Sequence, residues 1–346
     1  MPTEIIADPE VLDEEYIPQG LQCRDAQRIE LVHCLSPFKN RIRPYDCLCH
    51  GKPGTGKTAL VKYVLDQIKE NTSALAFYVN CWENKTLSLI LDRLVKQTGL
   101  VVSEVGYSVK IARLKEKLKN KTCIIALDEV DKLDKKELDD ILYMLKELGR
   151  IGIVCISNTR EYVITLDPRI TSRLNLKSIN FPPYSEEELL TILKHRVEDC
   201  KALYPKSWSN EILEKITELA AGDARVAIQT LRSAAHNAER TNKNRITEED
   251  VDKGYDMVKE IKKKYELERL TPHHKLIVRI LKKHGEISST DFYNFYRREA
   301  EKQELRAKSQ RSFNNFLTDL IVLNYIEVDR AKVRGNVRLF KCDQSF

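Results

Sequence analysis

The segment from Gly51 to Thr58 constrains the fold of this chain more than any other eight residues. It reads Gly-Lys-Pro-Gly-Thr-Gly-Lys-Thr, which is the spacing of a phosphate-binding P-loop. Its three glycines let the backbone turn tightly and point N–H groups into a concave anion site. An apolar run, 45–49, precedes the loop, and apolar residues at helical spacing follow it. The segment therefore predicts a nucleotide-binding α/β domain.

The end of the loop supplies the charged and hydroxyl groups. Lys57 is expected to pair with the outer phosphates, and the Thr58 hydroxyl is expected to bind magnesium. The expected ligands are ATP or ADP with magnesium. The loop residues predicted to bind nucleotide are Gly51, Pro53, Gly54, Thr55, Gly56, Lys57, Thr58 and Ala59.

Two later apolar runs end in polar residues suited to hydrolysis. The first, 123–127, is followed by Asp128 and Glu129, and the second, 151–156, is followed by Asn158. Apolar runs without alternation are typical of strands buried in a parallel sheet, which places ligands at the carboxyl ends of its strands. Asp128 is predicted to hold magnesium, Glu129 to activate the attacking water, and Asn158 to reach that water or the terminal phosphate.

Length and charge indicate more than one domain. A chain of 346 residues suggests two or three domains, and 42 % hydrophobic residues can build their cores. No apolar run approaches the roughly 18 residues of a membrane span, and the acidic start is no secretory signal, so we expect an intracellular protein without a membrane partner. Residues 261–346 contain 19 Lys and Arg against 11 Asp and Glu, which predicts a polyanion partner for this part.

Nine cysteines occur without any Cys-x-x-Cys pair. Most of them lie in apolar runs, where cysteine acts as a small hydrophobic residue, although metal or redox roles are the alternative.

The C-terminal half is predicted to be helical up to a basic end. Residues 185–258 carry three helical patterns, and a charged linker is expected to begin with 259–264. Beyond Thr271, three amphipathic patterns and two short β patterns describe a winged helix. The predicted domains are an ATPase at 1–180, a helical lid at 181–262 and a winged helix at 263–346.

The third helix of such a domain enters the major groove of DNA by its N-terminal residues, and a basic hairpin contacts the backbone or the minor groove. A winged helix used only for protein contact is the alternative. The predicted DNA-binding residues are Lys308, Ser309, Gln310, Arg311, Asn314 and Asn315 in the helix, and Arg330, Lys332, Arg334 and Arg338 in the hairpin.

The order of these motifs resembles that of the AAA+ ATPases. The finer resemblance is to archaeal origin-recognition initiators, which are relatives of the large origin-recognition subunit and of the helicase loader of eukaryotes. It covers nearly the whole chain, and the departures at Gln22 and Asp25 suggest a divergent paralogue. The similar segments are Tyr16–Pro18, Arg24–Gln27, Val79–Cys81, Asp167–Arg169, Phe181–Tyr184 and Gly222–Arg225.

The resemblance implies roles for residues outside the P-loop. Arg225 would be a lid arginine that contacts the terminal phosphate, and so joins Lys57, Asp128, Glu129 and Asn158 as a catalytic residue. Tyr16, Ile17 and Arg24 would border the adenine, and Tyr184 and Arg196 would line the nucleotide. Arg169 or Arg173 would act as an arginine finger on a neighbouring subunit's nucleotide. An insertion at 100–110 would contact DNA through Tyr107, Ser108 and Lys110.

The function implied is that of an ATP-dependent replication initiator with slow, switch-like hydrolysis. It would bind duplex DNA at the origin, assemble with paralogous initiator subunits and help to load the hexameric replicative helicase, in the cytoplasm at the nucleoid. A P-loop transcription regulator with a winged helix is the first alternative. A protein-remodelling or clamp-loading ATPase is the second.

Overall fold

A parallel five-stranded sheet organises the N-terminal part of the protein. The computed structural model describes residues 4–37, 42–99, 106–160, 166–174, 176–322, 325–330 and 338–342, with the side chains of 262–269, 322 and 330 excepted. The strands lie in the order β2-β3-β4-β1-β5, and all neighbours are parallel. Their bounds are β1 Asp46–His50, β2 Leu75–Asn80, β3 Cys123–Asp128, β4 Ile151–Ser157 and β5 Leu176–Asn180.

Helices cover both faces of this sheet, which explains why its central strands are apolar throughout. Helices α1 and α2 pack on one face, and α3, α4, α5 and α6 pack on the other. The parallel sheet between helices is confirmed. The helices are α1 Asp25–Leu35, α2 Lys57–Asn71, α3 Leu87–Gln97, α4 Tyr107–Leu118, α5 Lys135–Glu147 and α6 Pro168–Thr171.

Cysteines fill much of this core. Cys47, Cys49, Cys81, Cys123 and Cys155 are buried and free, as their apolar surroundings predict. Burial raises the pKa of the Cys123 thiol, so this thiol stays protonated and acts as an apolar group.

A helical bundle follows the sheet and includes the start of the chain. It consists of α7 Glu186–Lys194, the π-helical turn His195–Asp199, α8 Asn210–Ala220, α9 Ala224–Arg240 and α10 Glu248–Arg269. Ile5, Val11 and Leu12 are buried in the same cluster as these helices, so the first residues pack with the lid although the sequence assigned them to the ATPase domain.

The predicted charged linker at 259–264 is helical, because α10 runs without interruption through it. Helix α10 contains no proline, and no glycine after Gly254. Its alternating charges in this part permit ion pairs between residues four apart. The chain divides into two compact units, Met1–Val258 and Lys259–Phe346, and the division falls inside this helix.

The second unit combines helices with a small antiparallel sheet in the order β6-β8-β7. Strand β6, which the sequence did not reveal, joins the two predicted strands. Its core contains Phe292, Tyr296, Phe313 and Phe340. The elements are α11 Pro272–His284, β6 Glu286–Ser288, α12 Ser289–Lys302, α13 Gln310–Val322, β7 Ile326–Arg330 and β8 Arg338–Cys342. None of the helices in the described ranges is long and apolar enough to cross a bilayer.

Candidate nucleotide and nucleic-acid sites

The P-loop connects the end of β1 to the start of α2. Gly54 and Gly56 have φ values of +73° and +84°, a left-handed region that favours glycine. The lid lies directly against the loop: a Cβ on Gly54 would overlap the Asp223 carboxylate, and one on Gly56 would overlap the Tyr184 hydroxyl. The Ala224 N–H also donates to the Gly54 carbonyl at 3.0 Å. The predicted phosphate cradle therefore lies at the junction of sheet and lid.

Lys57 is buried at the centre of this junction, with 7 % of its surface exposed. Its Nζ donates to the carbonyls of Gly51 and Lys52 at 2.7 and 2.8 Å, and to Asn158 Oδ1 at 3.3 Å. Burial lowers the pKa of Lys57 to about 8, and the charge of Arg225 contributes to the decrease. An ammonium group that has lost its water and has mainly neutral acceptors is well suited to an anionic ligand.

Asp128 ends β3, and its carboxylate accepts three hydrogen bonds from described residues. Its Oδ2 accepts the Thr58 hydroxyl and the Tyr78 hydroxyl, each at 2.7 Å, and its Oδ1 accepts the Glu129 N–H at 2.8 Å. Magnesium prefers such oxygen ligands and is usually held by one or two carboxylates together with phosphates and water. Thr58 and Asp128 fit that pattern, whereas the described residues contain no group of three or more His, Cys, Asp or Glu that could hold a metal alone.

The strand ends bring the predicted hydrolytic residues to the same edge. Glu129 is half-buried directly after Asp128, with a left-handed φ of +55°. Asn158 is oriented by Asp131, whose carboxylate accepts the Asn158 backbone N–H at 3.2 Å and its Nδ2 at 3.4 Å. Asn158 thereby turns its Oδ1 toward Lys57.

Arg24 and Tyr184 form a stacked pair against the P-loop. The Arg24 guanidinium lies 3.6 Å from the centre of the Tyr184 ring. It donates from Nε to the Thr55 carbonyl at 3.0 Å, and from its terminal nitrogens to the carbonyls of Pro182 at 2.7 Å and Cys23 at 3.1 Å. Burial raises the pKa of Tyr184 to about 12. This pair braces the loop, a role that the prediction of an adenine contact for Arg24 did not include.

Arg196 and Tyr16 form a second pair around the N-terminal segment. Arg196 lies in the π-helical turn, with its guanidinium 5.0 Å from the centre of the Tyr16 ring. It donates to the carbonyls of Val11, Asp13 and Tyr16. Ile17 follows as a half-buried residue. The donors of Arg196 are thus directed at backbone carbonyls of residues 11–16, and its contact with nucleotide stays a prediction.

Arg225 lies in the first turn of α9, which Asp223 caps by accepting two backbone N–H groups. Its Nε pairs with Glu14 at 3.2 Å, and 58 % of its side chain is exposed. The two candidate finger arginines differ in their surroundings. Arg169 pairs with Asp167 at 2.9 Å and is 89 % exposed, whereas Arg173 pairs with Glu147 at 3.0 Å and lies over the ring of Tyr143.

The N-terminus of α13 presents the polar residues predicted to contact DNA. The Ser309 hydroxyl accepts the Ser312 N–H at 3.3 Å and so caps the helix. The Lys308 N–H donates to the Tyr296 hydroxyl at 3.1 Å, which fixes the approach to the helix. The residues exposed on this surface are Lys308, Ser309, Gln310, Arg311, Asn314 and Asn315.

The other predicted DNA-binding residues are partly described. Arg338 is exposed at the start of β8. Lys332 and Arg334 lie outside the described residues, as does the side chain of Arg330. In the ATPase part, Tyr107 and Ser108 begin α4 with exposed side chains. Lys110 pairs with Asp92 at 2.6 Å and is only 12 % exposed, so its charge is already balanced.

Three contacting residues were missed by the sequence reasoning. Tyr78 binds Asp128, Asp131 orients Asn158, and Asp223 lies against Gly54. A signal existed for the place of Tyr78, although not for its contact, because residues 75–79 form an apolar run that ends in Asn80, and parallel strands place ligands at that edge. Asp223 lies within the segment 222–225, for which the resemblance implies a role of Arg225 alone.

Comparisons with known proteins agree with this architecture. Residues 45–165 match the model of an AAA domain, and residues 190–256 match that of the Cdc6 AAA+ ATPase-type lid domain. The ORC1-type DNA replication protein 1 of Halobacterium salinarum is 35 % identical over 84 % of this chain and 95 % of its own length. Its namesake from Sulfurisphaera tokodaii is 32 % identical over 94 % of this chain and 86 % of its own length.

Two solved structures are similar along the whole chain. The Aeropyrum pernix ORC1 protein, determined in complex with DNA, has a TM-score of 0.80 and 27 % identity, and the alignment covers 99 % of this chain and 95 % of that one. The Cdc6p structure from Pyrobaculum aerophilum has a TM-score of 0.67 and 25 % identity, and the coverage is 98 % and 94 %.

Proposed function

The chain belongs to the family of ORC1-type DNA replication proteins and is an AAA+ ATPase, and from this premise we propose that it is a nucleotide-switched replication initiator. It binds duplex DNA at the replication origin, acts with paralogous initiator subunits and helps to load the replicative helicase. The observation that carries the switch is the contact of the lid with the P-loop, where the Ala224 N–H donates to Gly54.

Nucleotide binding and hydrolysis are assigned to the residues that converge there. Lys57 neutralises the outer phosphates, and Thr58 and Asp128 hold the magnesium, which would stabilise the charge that develops on the phosphates. Glu129 orients the attacking water, and Asn158 accepts a hydrogen bond from Lys57 and helps to position that water. Arg225 of the lid turns toward the terminal phosphate, so that closure of the lid depends on which nucleotide is bound.

The adenine is proposed to lie near the second group of residues. Tyr16, Ile17 and Arg24 precede or begin α1, and Tyr184 and Arg196 flank the first lid helix. Their half-buried and buried rings and guanidinium groups offer stacking surfaces for a planar base.

We assign DNA binding to a winged helix formed by the second unit, with the ATPase at 1–180, the lid at 181–262 and the winged helix at 263–346. Its helices and antiparallel sheet, together with the exposed polar N-terminus of α13, support this assignment. A basic surface would supply the phosphate contacts that hold the protein on duplex DNA. Tyr107, Ser108 and Lys110 of the ATPase are the second proposed contact. The relative from Aeropyrum pernix was solved with DNA, which supports a DNA partner here.

Assembly with a paralogous subunit would complete the ATPase site. An arginine finger stabilises the charge on the transferred phosphoryl group from outside the site. Both arginines form ion pairs, and Arg169 is the stronger candidate because it is the more exposed of the two; Arg173 is the alternative. An isolated chain is therefore expected to hydrolyse ATP slowly. In the cell, we place the protein at the nucleoid in the cytoplasm.

Nuclease protection on DNA from the source genome tests the proposal. The chain is incubated with fragments that carry the replication origin and with promoter fragments, each in the presence and absence of ATP. We expect protection at the origin that depends on ATP. Protection confined to promoters would favour a transcription regulator and would sink the initiator.

A pair of variants tests the surface assigned to DNA. Arg311→Ala removes an exposed charge from the N-terminus of α13, and Lys302→Ala removes an exposed charge from the end of α12. We expect Arg311→Ala to weaken origin binding by about tenfold, since a good base or phosphate contact is worth ~1–3 kcal/mol, and Lys302→Ala to leave binding nearly unchanged. Equal effects of the two variants would refute the assignment of α13.

A further inference from the structure

Tyr78 lies on the edge strand β2 and reaches across to β3. The two strands pair in parallel with Tyr78 opposite Ala126 and Asn80 opposite Asp128. The Tyr78 hydroxyl donates to Asp128 Oδ2 at 2.7 Å. The Tyr78 side chain thus extends from β2 to the neighbouring strand β3, where it reaches the Asp128 carboxylate that is proposed to hold magnesium.

The backbone of Tyr78 is held by hydrogen bonds from helix α3, which packs on the sheet. Gln97, at the end of α3, accepts the Tyr78 N–H at 3.3 Å and donates from Nε2 to the Tyr78 carbonyl at 2.9 Å. The Lys62 ammonium lies 4.7 Å from the centre of the Tyr78 ring, on the ring face. A side chain held at both its backbone and its ring can place its hydroxyl accurately.

The Asp128 carboxylate has a limited number of acceptor positions, and its hydrogen bonds occupy more of them on Oδ2 than on Oδ1. A carboxylate offers about four lone-pair sites, two on each oxygen. Thr58 and Tyr78 take both sites of Oδ2, whereas Glu129 takes one site of Oδ1. Among the contacts of the described residues, one site of Oδ1 therefore remains for a metal ion or a water bound to it. Without the Tyr78 hydroxyl, one hydrogen bond would remain on each carboxylate oxygen, so the orientation of the carboxylate would be less restricted.

We propose that Tyr78 is a positioning residue for the magnesium–ATP site, because it holds the Asp128 carboxylate in the orientation that receives the metal. The proposal rests on the nucleotide site described above and adds a residue to it. Groups that orient a metal-binding side chain change metal affinity by about 10- to 100-fold when they are removed. Tyr78 does not touch the P-loop backbone in any of its described hydrogen bonds, so its loss is expected to act through magnesium alone.

The test uses the full chain, a fluorescent ATP analogue and Tyr78→Phe, which keeps the ring and removes only the hydroxyl. Magnesium is titrated at a fixed analogue concentration, and analogue affinity is also measured in EDTA. The matched control is Tyr63→Phe on α2, since the Tyr63 hydroxyl makes no hydrogen bond within the described part of the chain. Thermal unfolding of each variant establishes that it is folded.

We expect Tyr78→Phe to raise the magnesium concentration at half-saturation by about tenfold or more, with affinity in EDTA changed less than twofold. Tyr63→Phe should match the unaltered chain in both measurements. An unchanged magnesium requirement in Tyr78→Phe overturns the proposal, and so does an equal loss of affinity in EDTA, which would indicate a structural role.

Two outcomes separate the role of Tyr78 from the proposed initiator function. If the unaltered chain binds the analogue without any dependence on magnesium, both the assigned metal site and the role of Tyr78 are refuted. If the magnesium effect of Tyr78→Phe appears but origin DNA is not protected, the role of Tyr78 stands and the initiator function falls.

Discussion

Replacing Arg24 with methionine tests whether this residue braces the P-loop. Methionine keeps an unbranched apolar stem of similar length but removes the charge and all donors. The carbonyls of Thr55 and Pro182 would each lose a partner, and the ring of Tyr184 would lose the cation stacked 3.6 Å from its centre. These contacts join the P-loop, the start of α1 and the segment after β5.

The size of the effect follows from these contacts. Of the three hydrogen bonds that Arg24 donates, the two to Thr55 and Pro182 join separate segments and contribute ~1.5 kcal/mol each at the low end, and a desolvated cation–π contact contributes ~2 kcal/mol. Because methionine does not carry the desolvation cost of a buried guanidinium, we subtract ~2 kcal/mol and expect a net loss near 3 kcal/mol. A folded domain has only ~5–15 kcal/mol of stability, so the loss is readily measured.

Urea unfolding followed by tryptophan fluorescence is a suitable assay. Both tryptophans of the chain, Trp82 and Trp208, lie in the first unit, so the signal reports only on the part that contains Arg24. The control is Arg28→Met on the same helix, where an exposed arginine pairs with Asp25 and a loss below ~0.5 kcal/mol is expected. If Arg24→Met unfolds at the same urea concentration as Arg28→Met, the bracing role is refuted.

Three further predictions concern other contacts. Gly56→Ala should lower ATP affinity more than tenfold in a titration, because the residue has a φ of +84° and a Cβ would overlap the Tyr184 hydroxyl; unchanged affinity would contradict the close packing of lid and loop. Glu14→Gln should raise ATP affinity about twofold by releasing Arg225 from an exposed ion pair worth ~0.5 kcal/mol, and a decrease would count against the lid arginine. Burial lowers the pKa of His273 below its ordinary value of 6.5, so the unfolded state takes up more protons there. The stability that His273 contributes is therefore complete above pH 6.5 and is lost as the pH falls through the folded pKa. Because both tryptophans lie in the first unit, urea unfolding of the unaltered chain and of His273→Gln between pH 7 and 5 is followed by circular dichroism, which also reports on the second unit; parallel losses of stability in both would contradict this prediction.

The parts of the fold that depend on local spacing could be predicted from the sequence. The P-loop specifies its own turn because glycine is required at residues 54 and 56, and Asp128 and Asn158 follow apolar runs that are typical of buried strands. Parallel strands bring their carboxyl ends to one edge, so the approach of Asn158 to Lys57 follows from the pattern. The three helical patterns expected in 185–258 correspond to α7, α8 and α9, and α10 adds a fourth helix.

Contacts between distant segments could not be predicted in the same way. The bond from Tyr78 to Asp128 depends on the register of two strands 50 residues apart, which no local pattern encodes. Residues 5–12 contact residues far along the chain: Glu239 accepts the N–H groups of Ile5 and Ile6, and Arg196 donates to the Val11 carbonyl. The charged composition of 259–264 predicts a linker but not its conformation, and the spacing of its charges also permits the continuous helix α10.

The most direct test of a nucleotide-switched initiator is the affinity of the full chain for an origin duplex with ATP and with ADP. The measurement is a fluorescence anisotropy titration at one fixed salt concentration, since contacts with phosphates make affinity depend strongly on salt. The switch predicts that exchanging ATP for ADP changes the dissociation constant at least fivefold, about 1 kcal/mol of coupling between the two sites. Identical affinities for the origin duplex in the two nucleotides would contradict the central claim.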